Sequence, residues 1–392
     1  MIGHEFLHSP GPTHIPDRVL AAMHRQPLDL VDRRLREIAH SCFADLAEVF
    51  RTKGRVFIYA ANGHGGWEAA LANICVPGDA VLIPEVGHFS NSWADHARAL
   101  GVEVVSLQGD WRHAIDPDEI ESALRTDTER RIKAVLAVQI DTGTAVASDI
   151  PAVRAAMDAA GHPALLVADT IASLAAMPFD MDEWGVDVAI TASQKALMCP
   201  PGLTILAVNE RAIRAANSLP LRHRYWDWQT RMAEENYRSF CGTMPEQLIF
   251  GLRAALDMIR EEGLPAIFAR HRRLAGAVHR AVETWAKAGA LSFNAAVSDQ
   301  RAVTVTAVRT AEGIDADRLR AHAREALGVS IAGGLGLLSG HAFRIGHLGD
   351  LNVPMILGCL STLEVAFLQL GIPHGAGGAR AAAEYLAADT SS

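Results

Sequence analysis

The sequence predicts an α/β protein in two parts, a large domain on a mainly parallel sheet and a smaller α+β C-terminal domain. From about residue 50 to residue 210, short continuous apolar runs alternate with amphipathic stretches, which is typical of buried strands covered by helices on both faces. After about residue 258 the pattern changes to a long helical stretch followed by mixed strands and helices. We therefore predict an extended arm over residues 1–20, a large domain over 21–258 and a small domain over 259–392.

The N-terminal arm cannot be helical over residues 9–16, where three prolines occur, and the first helix is expected near Asp17. Seven strands are predicted in the large domain: Val56–Ala60, Ala80–Pro84, Val102–Leu107, Ala134–Ile140, Ala164–Ala168, Val186–Thr191 and Thr204–Val208. Helical patterns lie between most of them: Gly66–Ile74, Ser90–Leu100, Asp116–Leu124 and Asp149–Ala160. Only a short loop precedes the last strand, so we predict that it runs antiparallel to its neighbour.

The small domain is predicted from five elements and one turn. They are a helix at Leu264–Lys287, a strand at Val303–Val308, a helix at Asp315–Leu327, a glycine-rich turn at Gly333–Gly336, a strand at Ala342–Gly346 and a helix at Asn352–Leu370. The Ala- and Gly-rich stretch from Gly375 to Ser392 is expected to fray at its end.

Composition excludes several classes of function. Of 392 residues, 49% are hydrophobic and 21% charged, the balance of a globular protein. The net charge of −9 disfavours nucleic acid as a partner. The five cysteines are widely spaced, which argues against a disulfide framework or a zinc site. No uninterrupted apolar run reaches membrane-spanning length and the start of the chain lacks a signal-peptide pattern, so we expect a cytoplasmic protein without a membrane partner.

Three polar features lie where strands end or helices begin, the position at which ligands bind in open α/β sheets. The turn Ala61–Gly66 would bind a phosphate at a helix N-terminus, unless it is an ordinary tight turn. Asp169 ends an apolar run and would hold a proton on a heterocyclic nitrogen, or act as a helix cap. Lys195, after Ser193 and Gln194, would be a nucleophile toward aldehydes if buried, and an ordinary surface lysine if not.

A fourth feature lies in the small domain, where Arg344 interrupts an apolar strand. An arginine there needs a partner, which is either a substrate carboxylate or an internal Asp or Glu. The aromatic segment Tyr225–Trp228 is a separate feature, and we favour a subunit interface over a site entrance for it.

Together these features resemble the class V aminotransferases, which are pyridoxal 5'-phosphate (PLP) enzymes of fold type I. The segments that carry the resemblance are Pro10-Gly11-Pro12-Thr13, Asn62-Gly63-His64, Asp169 with Ala172-Ser173, Ser193-Gln194-Lys195-Ala196-Leu197 with Pro200-Pro201-Gly202, and Phe343-Arg344-Ile345-Gly346. They extend over nearly the whole chain, and the sequence is most similar to the alanine/serine–glyoxylate aminotransferase group.

The resemblance implies a role for each candidate residue. Lys195 would bind the cofactor as an aldimine and carry protons, Asp169 would pair with the pyridinium nitrogen, and Arg344 would hold the substrate carboxylate. The other implied cofactor contacts are Asn62, Gly63 and His64 at the phosphate, Phe89 stacked on the ring, Thr142 near the phenolic oxygen, Gln194 as a polar contact, and Thr243 donated to the phosphate by the partner subunit of a homodimer. No metal is implied.

The sequence departs from the family pattern in three places. Residues 29–33 read Asp-Leu-Val-Asp-Arg where serine–glyoxylate enzymes carry Asp-His-Arg-Ser-Pro. Phe240 replaces an aromatic hydroxyl residue, and residues 141–145 read Asp-Thr-Gly-Thr-Ala where Glu-Ser/Thr-x-Thr-Gly is usual. We therefore expect an intact cofactor site and an altered substrate side.

The leading hypothesis is a homodimeric, ping-pong aminotransferase that moves an amino group from a serine- or alanine-like amino acid to a 2-oxo acid such as glyoxylate or pyruvate. Alternatives are another PLP reaction on this fold, namely a lyase, a racemase or a pyridoxamine–pyruvate-type transamination, and a fold that has lost catalysis and binds a ligand or partner. His4-Glu5-Phe6-Leu7-His8 matches a zinc motif that requires a helix, but the prolines that follow make a helix there improbable.

Overall fold

The computed structural model describes residues 4–220 and 223–388. The strands are β1 (Phe6–His8), β2 (Arg55–Ala60), β3 (Ala80–Glu85), β4 (Glu103–Gln108), β5 (Ile132–Val138), β6 (Ile140–Asp141), β7 (Val146–Ala147), β8 (Leu165–Asp169), β9 (Val188–Ala192), β10 (Leu203–Val208), β11 (Leu291–Phe293), β12 (Val305–Thr310), β13 (Val329–Gly333) and β14 (Ala342–Gly346). The helices are α1 (Asp17–Met23), α2 (Arg33–Phe50), α3 (Gly63–Ile74), α4 (His88–Ala99), α5 (Pro117–Thr126), α6 (Ile150–Ala159), α7 (Glu210–Asn217), α8 (Trp228–Arg231), α9 (Asn236–Ser239), α10 (Glu246–Glu262), α11 (Leu264–Trp285), α12 (Ala316–Leu327), α13 (Val353–Leu370) and α14 (Gly378–Ala388).

A seven-stranded sheet forms the centre of the N-terminal half, in the order β2-β10-β9-β8-β5-β3-β4. Neighbouring strands from β9 to β4 are parallel, whereas β10 is antiparallel to both β9 and β2. The predicted mainly parallel sheet with one antiparallel strand is therefore confirmed. The three adjacent strands β8, β9 and β10 are buried along their whole length, as their continuous apolar sequences require.

The helix predicted to begin at Gly66 begins at Gly63 instead. Three of its first four residues are Gly63, Gly65 and Gly66, and glycine has a low helix propensity. The Asn62 side chain accepts a hydrogen bond from the Gly65 N–H at 3.3 Å and caps the helix, which supports a first turn that propensity disfavours. The glycine turn is thus the first turn of α3.

A five-stranded sheet lies in the C-terminal half, in the order β1-β13-β14-β12-β11. Its edge strand β1 comes from the N-terminal arm and runs parallel to β13 through the pairs Phe6–Val329 to His8–Ile331. The arm therefore ties the start of the chain to the small sheet. The stretch that was expected to fray forms α14 as far as Ala388, and the remaining predicted frayed residues, 389–392, lie outside the described ones.

Two hydrophobic cores correspond to the two sheets. The larger includes buried residues from Val19 to Ile267, and the smaller runs from Leu274 to Leu386. Helix α11 contributes to both cores, because Ile267 and Leu274 both belong to it. The predicted boundary between residues 258 and 259 falls inside α10, and the domain limits stay a prediction.

Helix α13 has an 18-residue window with a mean hydropathy of 1.7, so length and composition alone would allow it to cross a membrane. Ile356, Leu360, Leu363 and Phe367 on this helix are buried in the smaller core. Such packing is what a core helix of a folded domain shows.

Candidate active site

A cavity of about 280 Å³ lies at the carboxyl ends of the central strands, beside the start of α3. It brings together most of the residues singled out in the sequence. They are Asn62, Gly63, His64, Phe89, Thr142, Asp169, Gln194 and Lys195, with Gly11, Pro12, Trp67, Ile140, Ile171, Ala172 and Pro201 completing the lining. Strand ends and helix starts converge here because the sheet is parallel.

Lys195 is buried, with 8% of its surface exposed, so the surface-lysine alternative is wrong. Its Nζ donates a hydrogen bond to the Pro10 carbonyl at 2.6 Å. Burial and the positive charge of Arg344 lower the pKa of Lys195 to about 8, while Asp169 and Asp141 oppose this shift. A lysine with such a pKa is partly neutral at physiological pH and able to act as a nucleophile.

The N-terminal arm holds the lysine loop in place, a contact that the sequence did not reveal. Thr13 Oγ1 donates to the Lys195 carbonyl at 3.1 Å, and the Thr13 N–H donates to the Gln194 carbonyl at 3.2 Å. Gly11 has a φ of +133°, and a Cβ at this position would lie 2.4 Å from Lys195 Nζ. Only glycine allows the arm to pass this close to the lysine.

Asp169 is the last residue of β8 and is 3% exposed. Its Oδ1 accepts from the Ile171 N–H at 2.8 Å, and its Oδ2 accepts from Trp67 Nε1 at 2.8 Å. Burial raises the pKa of Asp169 to about 7, although both donors and Lys195 favour the charged form. The carboxylate therefore accepts a hydrogen bond from the turn that follows β8. It also lines the cavity, where a cationic group could bind to it.

One end of the cavity is the start of α3, where the first amides of the helix have no partner within the helix. Asn62 and Gly63 line it, together with His64, whose ring packs 4.5 Å from that of Trp67. Such a helix start binds anions through its amides and its dipole. This geometry favours the phosphate interpretation of the turn.

Gln194 supplies a test of whether the cavity fits a polar cofactor. Its Oε1 is buried and has no hydrogen-bond partner among the described residues. An unpaired buried acceptor is costly, and a hydroxyl or protonated group bound in the cavity would satisfy it. The residues present therefore fit PLP, which carries an anionic phosphate, a hydroxyl and a ring nitrogen that can be protonated.

Asp141 is a site residue that sequence reasoning treated only as a departure from the family pattern. It is 0% exposed, and its carboxylate accepts from the N–H groups of Phe89, Ser90, Gly143 and Thr144 at 2.8 to 3.3 Å. Burial raises the pKa of Asp141, and these four donors oppose the shift. The carboxylate caps α4 and fixes the backbone at Phe89 and around Thr142, two residues that line the cavity.

Arg344 is 7% exposed and makes no direct ion pair with an acid among the described residues. The internal acid that acts on it is Asp141, which favours its charged form from beyond ion-pair distance. Its Nε donates to the Gly333 carbonyl at 2.6 Å and its Nη1 to the Thr142 carbonyl at 2.8 Å. Burial lowers its pKa to about 10, still well above neutrality. Arg344 lines a separate cavity of about 470 Å³ rather than the cavity at Lys195, and it contacts the latter's lining through the Thr142 carbonyl.

Three further predicted features lie apart from the cavity lining. Thr243 is exposed on its own chain, and its phosphate contact across a subunit interface stays a prediction. Trp228 is buried and stacks on Phe57 at 5.9 Å, so this part of the aromatic segment belongs to the core rather than to an interface. His8 lies in β1, so the zinc motif at the chain start lacks the helix it needs.

Comparison with known proteins gives a consistent result. The family profile described as Aminotransferase class-V matches residues 5–337. The chain is 40% identical over 391 residues to the serine–glyoxylate aminotransferase of Methylorubrum extorquens, covering 98% of this chain and 96% of that one. It is 38% identical over 376 residues to the L-aspartate–glyoxylate aminotransferase of Paracoccus denitrificans, covering 96% and 94%. The structure matches pyridoxamine–pyruvate aminotransferase from Mesorhizobium loti with a TM-score of 0.90 at 27% identity, over 99% and 98% of the two chains.

Proposed function

The chain belongs to the class V aminotransferase family, and from that premise we propose that it binds PLP in the cavity at Lys195 and transfers an amino group from a small amino acid to glyoxylate. Enzymes of this family are PLP-dependent aminotransferases. The proposal adds the cofactor's location in this chain, the acceptor and the roles of individual residues.

One observation carries the proposal. A lysine with a pKa of about 8 and an aspartate with a pKa of about 7 line the same small cavity, next to a helix start suited to an anion. Burial moves the pKa values of both groups toward 7, where proton transfer is most effective at physiological pH. Of the chemistries open to an α/β fold, PLP catalysis requires this set of groups.

Each group has a distinct task in this site. The amides at the start of α3 bind the phosphate, and Asp169 holds a proton at the ring nitrogen. Phe89 supplies an aromatic face, while Thr142 and Gln194 supply polar contacts. When bound, the cofactor supplies an electron sink for the substrate. Lys195 moves the proton at the substrate α-carbon, and its lowered pKa keeps part of it in the neutral form that accepts a proton.

Arg344 is the proposed site for the substrate carboxylate. In this structure its Nε and Nη1 are directed at backbone carbonyls, which fix the plane of the guanidinium without neutralising its charge. An arginine held in this way binds a carboxylate by two parallel hydrogen bonds once the contact to Thr142 is exchanged. Glyoxylate and every α-amino acid donor carry such a carboxylate.

The names of the relatives support glyoxylate as the acceptor and leave the donor open. The M. extorquens relative is named for serine and the P. denitrificans relative for L-aspartate, and both names include glyoxylate. We also propose a homodimer, because Thr243 is exposed on its own chain and its family role is to complete the partner's site.

A donor panel tests the proposal. Purified protein is expected to acquire a visible absorbance band on adding PLP, and borohydride is expected to link the cofactor irreversibly to Lys195. Serine, alanine and aspartate are then each paired with glyoxylate and pyruvate, and product amino acids are quantified. Lys133→Ala, at a half-exposed lysine, is the control for Lys195→Ala. Retention of turnover by Lys195→Ala, or turnover without any oxo acid, would refute the aminotransferase mechanism proposed here.

A pyridoxamine–pyruvate-type reaction is the second candidate, because one solved structure that this chain resembles over almost its full length has that name. In that case pyridoxamine itself is the amino donor. Turnover of pyridoxamine with pyruvate by PLP-free protein identifies this reaction, and its absence leaves the amino acid reaction.

A further inference from the structure

Trp67 is a lining residue of the cavity that neither the sequence features nor the family resemblance assigned. It lies on α3, four residues after Gly63, so it shares a helix face with the proposed phosphate site. It is 1% exposed, and its Nε1 donates to Asp169 Oδ2 at 2.8 Å. One side chain thus connects the helix start that would bind the phosphate with the acid that would face the ring nitrogen.

The indole is held rigidly in this position. It stacks on Trp93 with ring centroids 5.7 Å apart and planes 15° apart, and the His64 ring packs against it at 4.5 Å. A donor fixed by packing orients its acceptor without loss of conformational freedom. Asp169 therefore has one oxygen held by Ile171 and the other held by Trp67.

These two donors leave lone pairs on the carboxylate for a cofactor N–H. We propose that Trp67 is a positioning residue that keeps the Asp169 carboxylate charged and aimed at the cofactor ring nitrogen. The inference rests on the proposed function, since it needs PLP bound in this cavity. The charged groups acting on Asp169 are Lys195, which favours its ionised form, and Asp141, which disfavours it. Trp67 acts with Lys195 and against Asp141 and burial.

The chain offers a matched control in the partner of the stack. Trp93 is 0% exposed, and its Nε1 has no hydrogen-bond partner among the described residues. Trp67→Phe and Trp93→Phe therefore remove the same atoms from the two sides of one stacked pair. Only the first removes a hydrogen bond to Asp169.

The test measures the PLP dissociation constant of cofactor-free protein across pH, expressed as the ratio of variant to wild type. The ratio cancels the titration of the cofactor's own phosphate. For Trp67→Phe we expect a ratio of about five near pH 7 that approaches about ten at lower pH and falls toward one at higher pH, because loss of one charge-assisted donor raises the pKa of Asp169 by about one unit from about 7. For Trp93→Phe we expect a ratio near one without pH dependence. In an Asp169→Asn background, Trp67→Phe should have no pH-dependent effect.

A pH-independent ratio for Trp67→Phe, or equal ratios for the two variants, would overturn the inference. If Trp67→Phe does not fold, uniform 5-fluorotryptophan labelling of the Trp93→Phe protein replaces it. Fluorine makes the indole N–H a stronger donor, so PLP should then bind more tightly on the acid side, and unchanged binding overturns the inference. Wild-type protein that binds no PLP contradicts the proposed function instead, so the two failures are distinguishable.

Discussion

Two clusters of buried ionisable groups differ in how their charges are arranged. The first lies in and around the cavity and combines both signs of charge; Asp169 and Lys195 line the cavity, and Asp141 and Arg344 are buried behind its lining. The second is a histidine cluster at the small sheet, where every member has a lowered pKa; its members are His8, His271, His279 and His347.

At the cavity, groups of opposite charge reduce the pKa shifts that burial causes. Asp169 favours the charged form of Lys195, and Lys195 favours that of Asp169. Their pKa values are therefore about 8 and about 7, where a small change in surroundings changes the protonation state. Such groups suit proton transfer.

In the histidine cluster, burial is the main cause of every lowered pKa, and for His347 the other three histidines add to it. His347 lies 6.2 Å from His279 between ring centroids, and His279, His271 and His8 all lower its pKa further. His271 accepts from the Gly349 N–H at 3.1 Å and faces the Ile267 carbonyl through Nδ1 at 2.8 Å, the arrangement of a neutral ring. These histidines remain neutral at physiological pH and serve packing. Burial alone therefore leaves the histidines neutral, whereas at the cavity opposite charges keep the pKa values of Asp169 and Lys195 near neutral pH.

The largest effect that would break this comparison is expected from Asp169→Asn. The amide is nearly the same size but cannot carry the negative charge, so kcat should fall by a factor of about 10² to 10³. Its NH2 group replaces one oxygen and cannot accept from the donor there, which is either Ile171 N–H or Trp67 Nε1, so the thermal midpoint should fall as well. The counterpart His271→Asn should leave kcat within about threefold and lower the thermal midpoint, because it disturbs two buried hydrogen bonds. Steady-state kinetics and thermal unfolding on both variants measure the contrast. Similar losses of kcat in the two would show that the clusters do not differ in role.

The histidine cluster predicts sensitivity to acid. His8 and His271 have pKa values of about 4 in the folded protein and 6.5 as free groups. Below pH 6.5 the unfolded chain takes up protons that the folded chain refuses, so the free energy of unfolding falls as the pH drops from 6.5 to about 4. Each of the two histidines contributes on the order of 3 kcal/mol to this loss.

The variant His8→Leu tests how much His8 contributes to the loss of unfolding free energy at low pH. Neither ring nitrogen of His8 has a hydrogen-bond partner of normal geometry among the described residues, and the backbone at Gly346 and Met355 only partly offsets the effect of burial on its pKa. Leucine therefore removes a titrating group and only weak polar contacts. Urea unfolding measures the free energy of unfolding at pH 7 and at pH 4.5. The difference between these two values should be about 2 to 3 kcal/mol smaller in the variant than in the wild type. The control is His24→Leu, at an exposed histidine, which should keep the wild-type dependence. An unchanged dependence in His8→Leu would remove His8 from the explanation.

A smaller effect is expected on the pKa of Lys195 when the charge of Arg344 is removed. Arg344 lowers the pKa of Lys195, so Arg344→Gln should raise it above about 8, by roughly half to one unit. Arg344→Lys keeps the positive charge while losing the planar contacts, and should leave the pKa of Lys195 nearly unchanged. The pH at which Lys195 of cofactor-free protein reaches half its maximal acylation rate measures this, with the modified residue identified by mass spectrometry. Equal midpoints for wild type and Arg344→Gln would mean that Arg344 does not act on Lys195 through its charge.

Much of this molecule could be predicted from its sequence, and the remainder has a common physical cause. Continuous runs such as Leu165–Asp169 predict buried parallel strands, and polar residues at their ends predict the site. The hydrogen bond from Trp67 to Asp169 joins residues 102 apart, and that from Phe89 to Asp141 joins residues 52 apart. No local pattern encodes such approaches, since they arise only when the helices dock on the sheet.

The same holds for strand β1. It has three residues and pairs with β13 more than 300 positions later in the sequence. Its sequence, Phe-Leu-His, is too short for alternation to distinguish a strand from an extended arm. Tertiary pairing with an existing sheet edge makes it a strand.

The smallest expected effect concerns backbone strain at non-glycine residues, which within residues 4–220 and 223–388 is found in the part of the chain that forms the cavity and not in the C-terminal part that contributes most of the histidine cluster. In the described residues, all seven non-glycine residues with positive φ lie between Arg51 and Cys241, including Ala145 at +59° in the loop that follows Asp141. A left-handed conformation costs alanine roughly 1 to 2 kcal/mol, of which glycine's greater freedom in the unfolded chain returns part. Ala145 is also 4% exposed, so glycine removes a buried methyl group worth about 0.8 kcal/mol. We therefore expect Ala145→Gly to change the free energy of unfolding by less than about 0.5 kcal/mol. Ala147→Gly, two residues on in strand β7, should lower it by about 0.5 to 1 kcal/mol. Chemical denaturation of both variants measures the difference, and an equal or larger loss in Ala145→Gly would show that this loop stores no strain that glycine relieves.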